Sequence, residues 1–249
     1  IDPTSFQPGT VKSIGRTPIE GHGLTEGNYS IELTPGGNSG RPIRFPLKVE
    51  KSRQGPAQKI EIDIPPDRPE KMAFVPEGPG RGSDSASMTP VPAFFIDLYP
   101  VTNEEYRRFL ANTGTPPPPE WPEGTPPDGW RERPVTRIDY REALLYALWS
   151  GKRLPNRREF EKASLGTDSR NFPWGNRLQD AGKYSRIVVP STAQAEPIRV
   201  HSNPKSPYGC QNMLGNVWFW PYYSNSKKST LQGLGLLFTR NNGQIQSRS

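Results

Sequence analysis

Three times between residues 102 and 159, a short polar residue stands three places ahead of a glutamate: Thr102 with Glu105, Asp139 with Glu142, and Asn156 with Glu159. Each is a capping-box pattern. The cap side chain accepts from an orphaned N–H of the first helical turn, and the glutamate reaches back to the N–H of the cap. Each therefore predicts a helix start. The first helix carries Tyr106, Phe109 and Leu110 on one face and meets Gly114. The second carries Tyr140, Leu144, Ala147 and Leu148 on its inward face and meets Gly151. Both glycines suit a helix end. The third carries Phe160 and Ala163. Between the first two helices, the proline-dense stretch Pro116 to Trp130 excludes helix and reads as a semi-rigid surface loop.

Strands surround these helices. Tyr29, Ile31 and Leu33 alternate, and so do Ile43, Phe45, Leu47 and Val49, with the turn residues Pro35 to Asn38 between them. Ile60, Ile62 and Ile64 make a third alternating stretch, closed by Pro65 and Pro66. Three such strands predict a small antiparallel β module over residues 21–66. Residues 1–20 lack periodicity and read as a leader or linker. From Met72 the texture changes. Met72 to Glu77 reads as a strand running into a glycine-rich turn, Gly78 to Gly82, and Pro92 to Asp97 reads as another strand.

Composition narrows what such a chain can do. No apolar run approaches the ~18 residues that would span a bilayer. A single cysteine, Cys210, allows no internal disulfide and mildly favours a reducing compartment, while surface or phage display stays open. His22 and His201 lie far apart in sequence, which argues against a zinc site or a Ser-His-Asp triad. No metal or cofactor is expected. Residues 1–180 carry 24 basic and 24 acidic side chains, whereas residues 181–249 carry eight basic ones and a single acid, Glu196. The basic end reads either as a solvated surface or as a face for an acidic partner. Its cations are spaced singly, so a nucleic acid suits it less well.

Four segments in order carry a resemblance. The first is Phe94 to Asn103, followed by Glu105, Tyr106 and Phe109. The second is Gly151 to Ala163, the third is Phe172 to Asn176, and the fourth is Ser202 to Pro204 with Tyr208 to Trp220. Together they resemble the formylglycine-generating enzyme (sulfatase-modifying factor) family. The resemblance implies a C-type-lectin-like fold, loop-rich and α+β, here over residues 70–249 behind the β module. In the segments themselves, Arg153 and Arg158 could fork onto Glu159 or Glu161. Trp174, Trp218 and Trp220 read as core anchors, and Gly209 and Gly215 as turn residues.

The chain also departs from the family pattern. The aerobic enzymes of this family use two active-site cysteines and copper, and Cys210 stands alone where the family carries an apolar residue. It reads as a small buried hydrophobe. A related branch uses iron and several histidines, which the two histidines here do not match. Phe219 stands where the family has a calcium-binding glutamate, and a phenyl ring offers a hard cation no oxygen. After Trp220, the family's closing motifs are not recognisable in residues 221–249, although Leu234, Leu236, Leu237 and Phe238 could supply a core strand. That segment is instead dense in Tyr, Ser, Asn and Gln, the residues of adaptable binding surfaces. It resembles the variable proteins of diversity-generating retroelements, bacterial or phage-borne.

The expectation is thus a ligand-binding or display protein and not an enzyme, contacting a protein or other macromolecular ligand. The expected contact residues are Phe219, Tyr222, Tyr223, Asn225, Arg240, Asn241 and Asn242. The alternatives are a sensor or interaction domain of a bacterial signalling protein, such as a Ser/Thr kinase fusion, and a formylglycine-generating-type oxidase.

Overall fold

The computed structural model describes residues 19, 23–34, 42–49, 61–62, 64, 68–81, 88–168, 170–177, 205–215, 218–219, 234–235 and 239–241. Near the N-terminus, β1 (Gly27–Leu33) and β2 (Ile43–Val49) form an antiparallel hairpin with Ile31 opposite Phe45 and Leu33 opposite Ile43. The alternation predicts this correctly. The inward side chains of β2, Ile43 and Phe45, are buried in the same cluster as the strands that follow. The turn expected at Pro35 to Asn38 and the residue Ile60 lie outside the described residues. Ile62 and Ile64 do not form the expected third strand. They half-bury against the hydrophobic cluster without joining a ladder.

Two strands then lie where the sequence places them, as β3 (Met72–Val75) and, after two intervening strands, β6 (Phe94–Asp97). They pair antiparallel, Met72 opposite Asp97 and Val75 opposite Phe94, and all eight residues are buried. The expected glycine-rich turn at Gly78 to Gly82 is instead mostly a strand, β4 (Gly78–Arg81), paired with β5 (Met88–Val91). Gly80 belongs there for a steric reason. A Cβ at this position would lie 2.7 Å from Cγ2 of Val91.

All three capping boxes form. Helix α1 (Asn103–Thr113) is capped by Thr102 and Glu105, α2 (Tyr140–Trp149) by Asp139 and Glu142, and α3 (Arg157–Leu165) by Asn156 and Glu159. Gly114 ends α1 in the left-handed conformation, with φ of 68°. The inward face of α2 keeps Ala147, with Tyr140 and Leu144 packed against the cluster, but departs from the expected one at Leu148. Ala143, Tyr146 and Ala147 are buried, whereas Leu148 is 74% exposed. The Tyr146 ring turns inward in its place. It stacks on Tyr106 at 5.6 Å and meets Phe109 edge-on at 5.4 Å. The proline-dense loop is pinned to the same cluster by Trp121, which is 4% exposed and lies edge-on to Tyr106.

The core therefore has two parts. One is built around the sheet: Ile43, Phe45, the β3 and β6 side chains, Val91, Ala163, Tyr208, Cys210 and Met213. The other is built around the helices, from Val101 through Tyr106, Phe109 and Tyr146 to Leu154. Lys152 joins them, because its Nζ donates to Oδ1 of Asp97 at 2.7 Å and ties the end of α2 to β6.

Candidate functional site

The C-terminal segment enters the fold through three short strands. These are β7 (Trp218–Phe219), β8 (Leu234–Gly235) and β9 (Thr239–Asn241). β7 and β8 pair in parallel, Trp218 opposite Leu234. β9 joins β6 antiparallel, with Asn241 opposite Phe94, Arg240 opposite Phe95 and Thr239 opposite Ile96. The sheet order is β3-β6-β9, so the far end of the chain closes the sheet on the edge opposite β3. Leu234, the first residue of the leucine run expected to form a strand, lies in β8, whereas Leu236, Leu237 and Phe238 lie outside the described residues.

The expected contact residues divide accordingly. Phe219 is half-buried on the sheet cluster, its ring 5.3 Å from that of Phe160. Arg240 and Asn241 occupy β9. Tyr222, Tyr223, Asn225 and Asn242 lie outside the described residues, as do His22, His201 and Trp220. Among the described residues, no group of three or more His, Cys, Asp or Glu side chains is placed to hold a metal ion.

The approach to β7 is stitched tightly to the sheet. Gln211 N donates to the carbonyl of Leu98 at 2.8 Å, and Ser206 N to that of Cys210 at 2.7 Å. Cys210 is 1% exposed. Burial pushes its thiol up to about 12, and a hydrogen bond with Ser206 only partly opposes this. It stays a protonated thiol at neutral pH, as expected of a packing residue. Nearby, Arg170 forks onto Asp168 through bonds of 2.9 and 2.6 Å and donates a third to the carbonyl of Pro173. This buried fork holds the turn on which Phe172 and Trp174 stack, 5.1 Å apart and almost parallel.

The second motif behaves partly as expected. Arg153 forks onto Glu159 at 2.8 and 2.6 Å while that glutamate also accepts from the N–H of Asn156. Arg158 pairs with no carboxylate among the described residues. It donates to the Thr89 hydroxyl and the Pro90 carbonyl, and Glu161 is taken by Arg157 at 2.8 Å. Helix periodicity gave no sign of Lys162. Its side chain is buried at 2% exposure, and its ammonium donates to the carbonyls of Pro76, Gly78 and Val91. Burial lowers its pKa to about 8. The clue in the sequence is its spacing of three from Glu159, which places both on one helical face.

These elements define a loop-rich domain of C-type-lectin-like fold, with a small antiparallel sheet and short capped helices. The chain belongs to the formylglycine-generating family: the family model for the sulfatase-modifying factor enzyme 1-like domain matches residues 61–243. That match includes residues 221–243 of the tail, which are therefore not foreign to the family even though its closing motifs are hard to read. Hercynine oxygenase of Mycolicibacterium smegmatis is 31% identical over 165 residues, covering 54% of this chain and 38% of that protein. The formylglycine-generating enzyme of Bos taurus is 27% identical over 219 residues, covering 62% and 58%. The chain thus spans less than two thirds of either relative. Among solved structures, Treponema denticola variable protein 1 aligns with a TM-score of 0.46 at 16% identity, covering 66% of this chain and 78% of that one.

These relatives correct the expectation that the chain is no enzyme. Both curated relatives are enzymes by name. The missing second cysteine removes paired-thiolate chemistry within this chain, but it does not remove catalysis as such. The relatives named as enzymes point to catalytic activity in the family, which also includes an inactive C-alpha-formylglycine-generating enzyme 2 in Mus musculus.

Proposed function

We propose that this chain binds a macromolecular ligand through the C-terminal segment that runs from β7 to β9. What supports the reading is the anchoring of that segment at both ends. β7 leaves from a residue packed on Phe160, and β9 returns to the central strand β6. Between the anchors stand Tyr222, Tyr223, Ser224 and Asn225, with Asn242 just beyond β9. Tyrosine supplies rigid contact area at low entropic cost, and Ser and Asn supply adaptable hydrogen bonds. The excess of cations after residue 180 favours an acidic ligand. Binding here and catalysis elsewhere on the scaffold are compatible.

The test is selection from a random phage-displayed peptide library, on the intact chain and on a Tyr222→Ala, Tyr223→Ala, Asn225→Ala variant. Peptides enriched on the intact chain should bind the variant at least about tenfold more weakly, a cost of roughly 1.4 kcal/mol. Equal binding to both would remove the segment from the contact surface. The finer form of the reading, a diversity-generating retroelement variable protein, requires a second copy of the tail codons beside the gene that differs at adenines. A locus without such a repeat would exclude that form.

A further inference from the structure

The helical half of the core leaves one face of α2 uncovered. Arg141, Leu145 and Trp149 stand four residues apart along it, so they form one ridge with roughly 6 Å between neighbours. Leu145 is 50% exposed, Trp149 42%, and Leu148 beside them 74%. Leu148 also walls a groove of about 470 Å³ together with Leu144. Single exposed leucines are ordinary on a protein surface, whereas an adjoining set marks a contact site. The two ends of the ridge differ. Arg141 is exposed and pairs with no carboxylate among the described residues. The Trp149 ring is held 5.6 Å from both Phe109 and Tyr146, so the indole is a fixed platform.

We propose that this ridge is a self-association surface, on which α2 of a second copy of this chain packs antiparallel about a two-fold axis at Leu145. The ridge is complementary to itself. Rotation about Leu145 carries Arg141 of each copy onto Trp149 of the other, because both lie four residues from the axis. A guanidinium over an indole face is the favoured cation–π pair, and two such contacts flank a leucine–leucine contact. An isologous interface requires this reciprocity. A partner helix with acidic side chains would satisfy Arg141 and leave the indole without a cation. One helix from each copy buries little, which places the pair among weak contacts, below about 1,200 Å² in total. The formal net charge of +7 on each copy opposes the pairing, so added salt should strengthen it. The surface belongs to the helical half of the core and the C-terminal strand β9 to the sheet half, so this proposal and the tail reading fail separately.

The experiment is sedimentation equilibrium of the intact chain over a concentration series. Monomer and dimer should exchange with a Kd of roughly 10–500 µM, the weak range expected of so small a contact. Leu145→Glu and Leu145→Lys should each weaken the dimer at least about tenfold, because like charges then meet at the axis, while the melting temperature holds. Mixed together, the two variants set opposite charges at the axis, and the dimer should return. Arg141→Ala should weaken it about fivefold or more through the loss of both cation–π contacts. The Tyr222→Ala, Tyr223→Ala, Asn225→Ala variant should dimerise like the intact chain. A chain still monomeric at about 500 µM would overturn the proposal, since even a weak interface would show by then. So would a dimer indifferent to charge at position 145, or a mixture that does not recover. The concentration series uses the unmodified chain, so it decides the matter whether or not a variant folds.

Discussion

The two halves of the core are assembled in different ways. The helical cluster draws its residues from one stretch, Val101 to Leu154. The sheet cluster gathers side chains from Ile43 to Met213 and takes its third strand from Thr239–Asn241. In the first, a cap, a glycine and a run of aromatics a few residues apart decide the outcome. In the second, the central strand does not find its partners nearby. β6 sits between neighbours that arrive from residue 72 and residue 239. The lesson is that the binding segment proposed here belongs to the half whose contacts are non-local.

The largest expected effect breaks the helical cluster. Tyr106 is fully buried against Tyr146, Phe109 and Trp121, so Tyr106→Ala should cost about 3–5 kcal/mol in denaturant unfolding. A cost under about 1 kcal/mol would mean that the aromatic stack is not the keystone of that half.

Next in size is Glu159, which holds a capping box and the Arg153 fork together. Glu159→Gln keeps the shape but removes the charge that orients Arg153, and should cost about 1–3 kcal/mol. Arg153→Ala in the same background should add much less than it does alone, as a double-mutant cycle would show.

Lys162 sharpens the comparison through pH. Burial depresses its pKa to about 8 from 10.5, so the unfolded chain holds this proton more tightly than the folded one. Below pH 8 the buried ammonium opposes folding, and its cost is relieved as pH rises from 8 to 10.5. Tyr106, Tyr146, Tyr208 and Cys210 act oppositely, since burial raises their pKa values and the unfolded chain releases those protons first. The Lys162 contribution must therefore be read as a difference. The stability of the wild type minus that of Lys162→Met should climb by roughly 1–3 kcal/mol across pH 8 to 10.5. A flat difference would mean that the ammonium is not desolvated.

The smallest expected effect is at Leu148. At 74% exposure, Leu148→Ala should stay within about 0.5 kcal/mol of wild type, although its sequence spacing marks it as core.

That spacing shows why part of the fold was legible and part was not. Thr102, Asp139 and Asn156 announce their helices because capping is a three-residue affair. The family segments from Phe94 onward fix the domain for the same reason. Periodicity misplaced Leu148 and missed Tyr146, because a distant ring, Tyr106, receives the Tyr146 side chain. Nor could it see that Gly78–Arg81 would pair as a strand, or that Lys162 would bury its charge under three carbonyls. In the tail, Phe219 was picked out by its departure from the family pattern and Arg240 by composition. Their strand partners, Gly235 and Phe95, were invisible because the pairings are long-range. The absent cysteine pair was read correctly as a residue fact and then carried too far, to a conclusion about catalysis that the relatives correct.

The central claim is that the C-terminal segment is anchored in the sheet by β9. The most direct measurement is amide hydrogen exchange on Arg240→Pro, which puts a residue without an N–H in the middle of that strand. The account predicts faster exchange across Phe94–Ile96 in β6, with the amides of α1 and α2 keeping their protection. Unchanged protection in β6 would contradict it, because the tail would then hang from the domain without closing it.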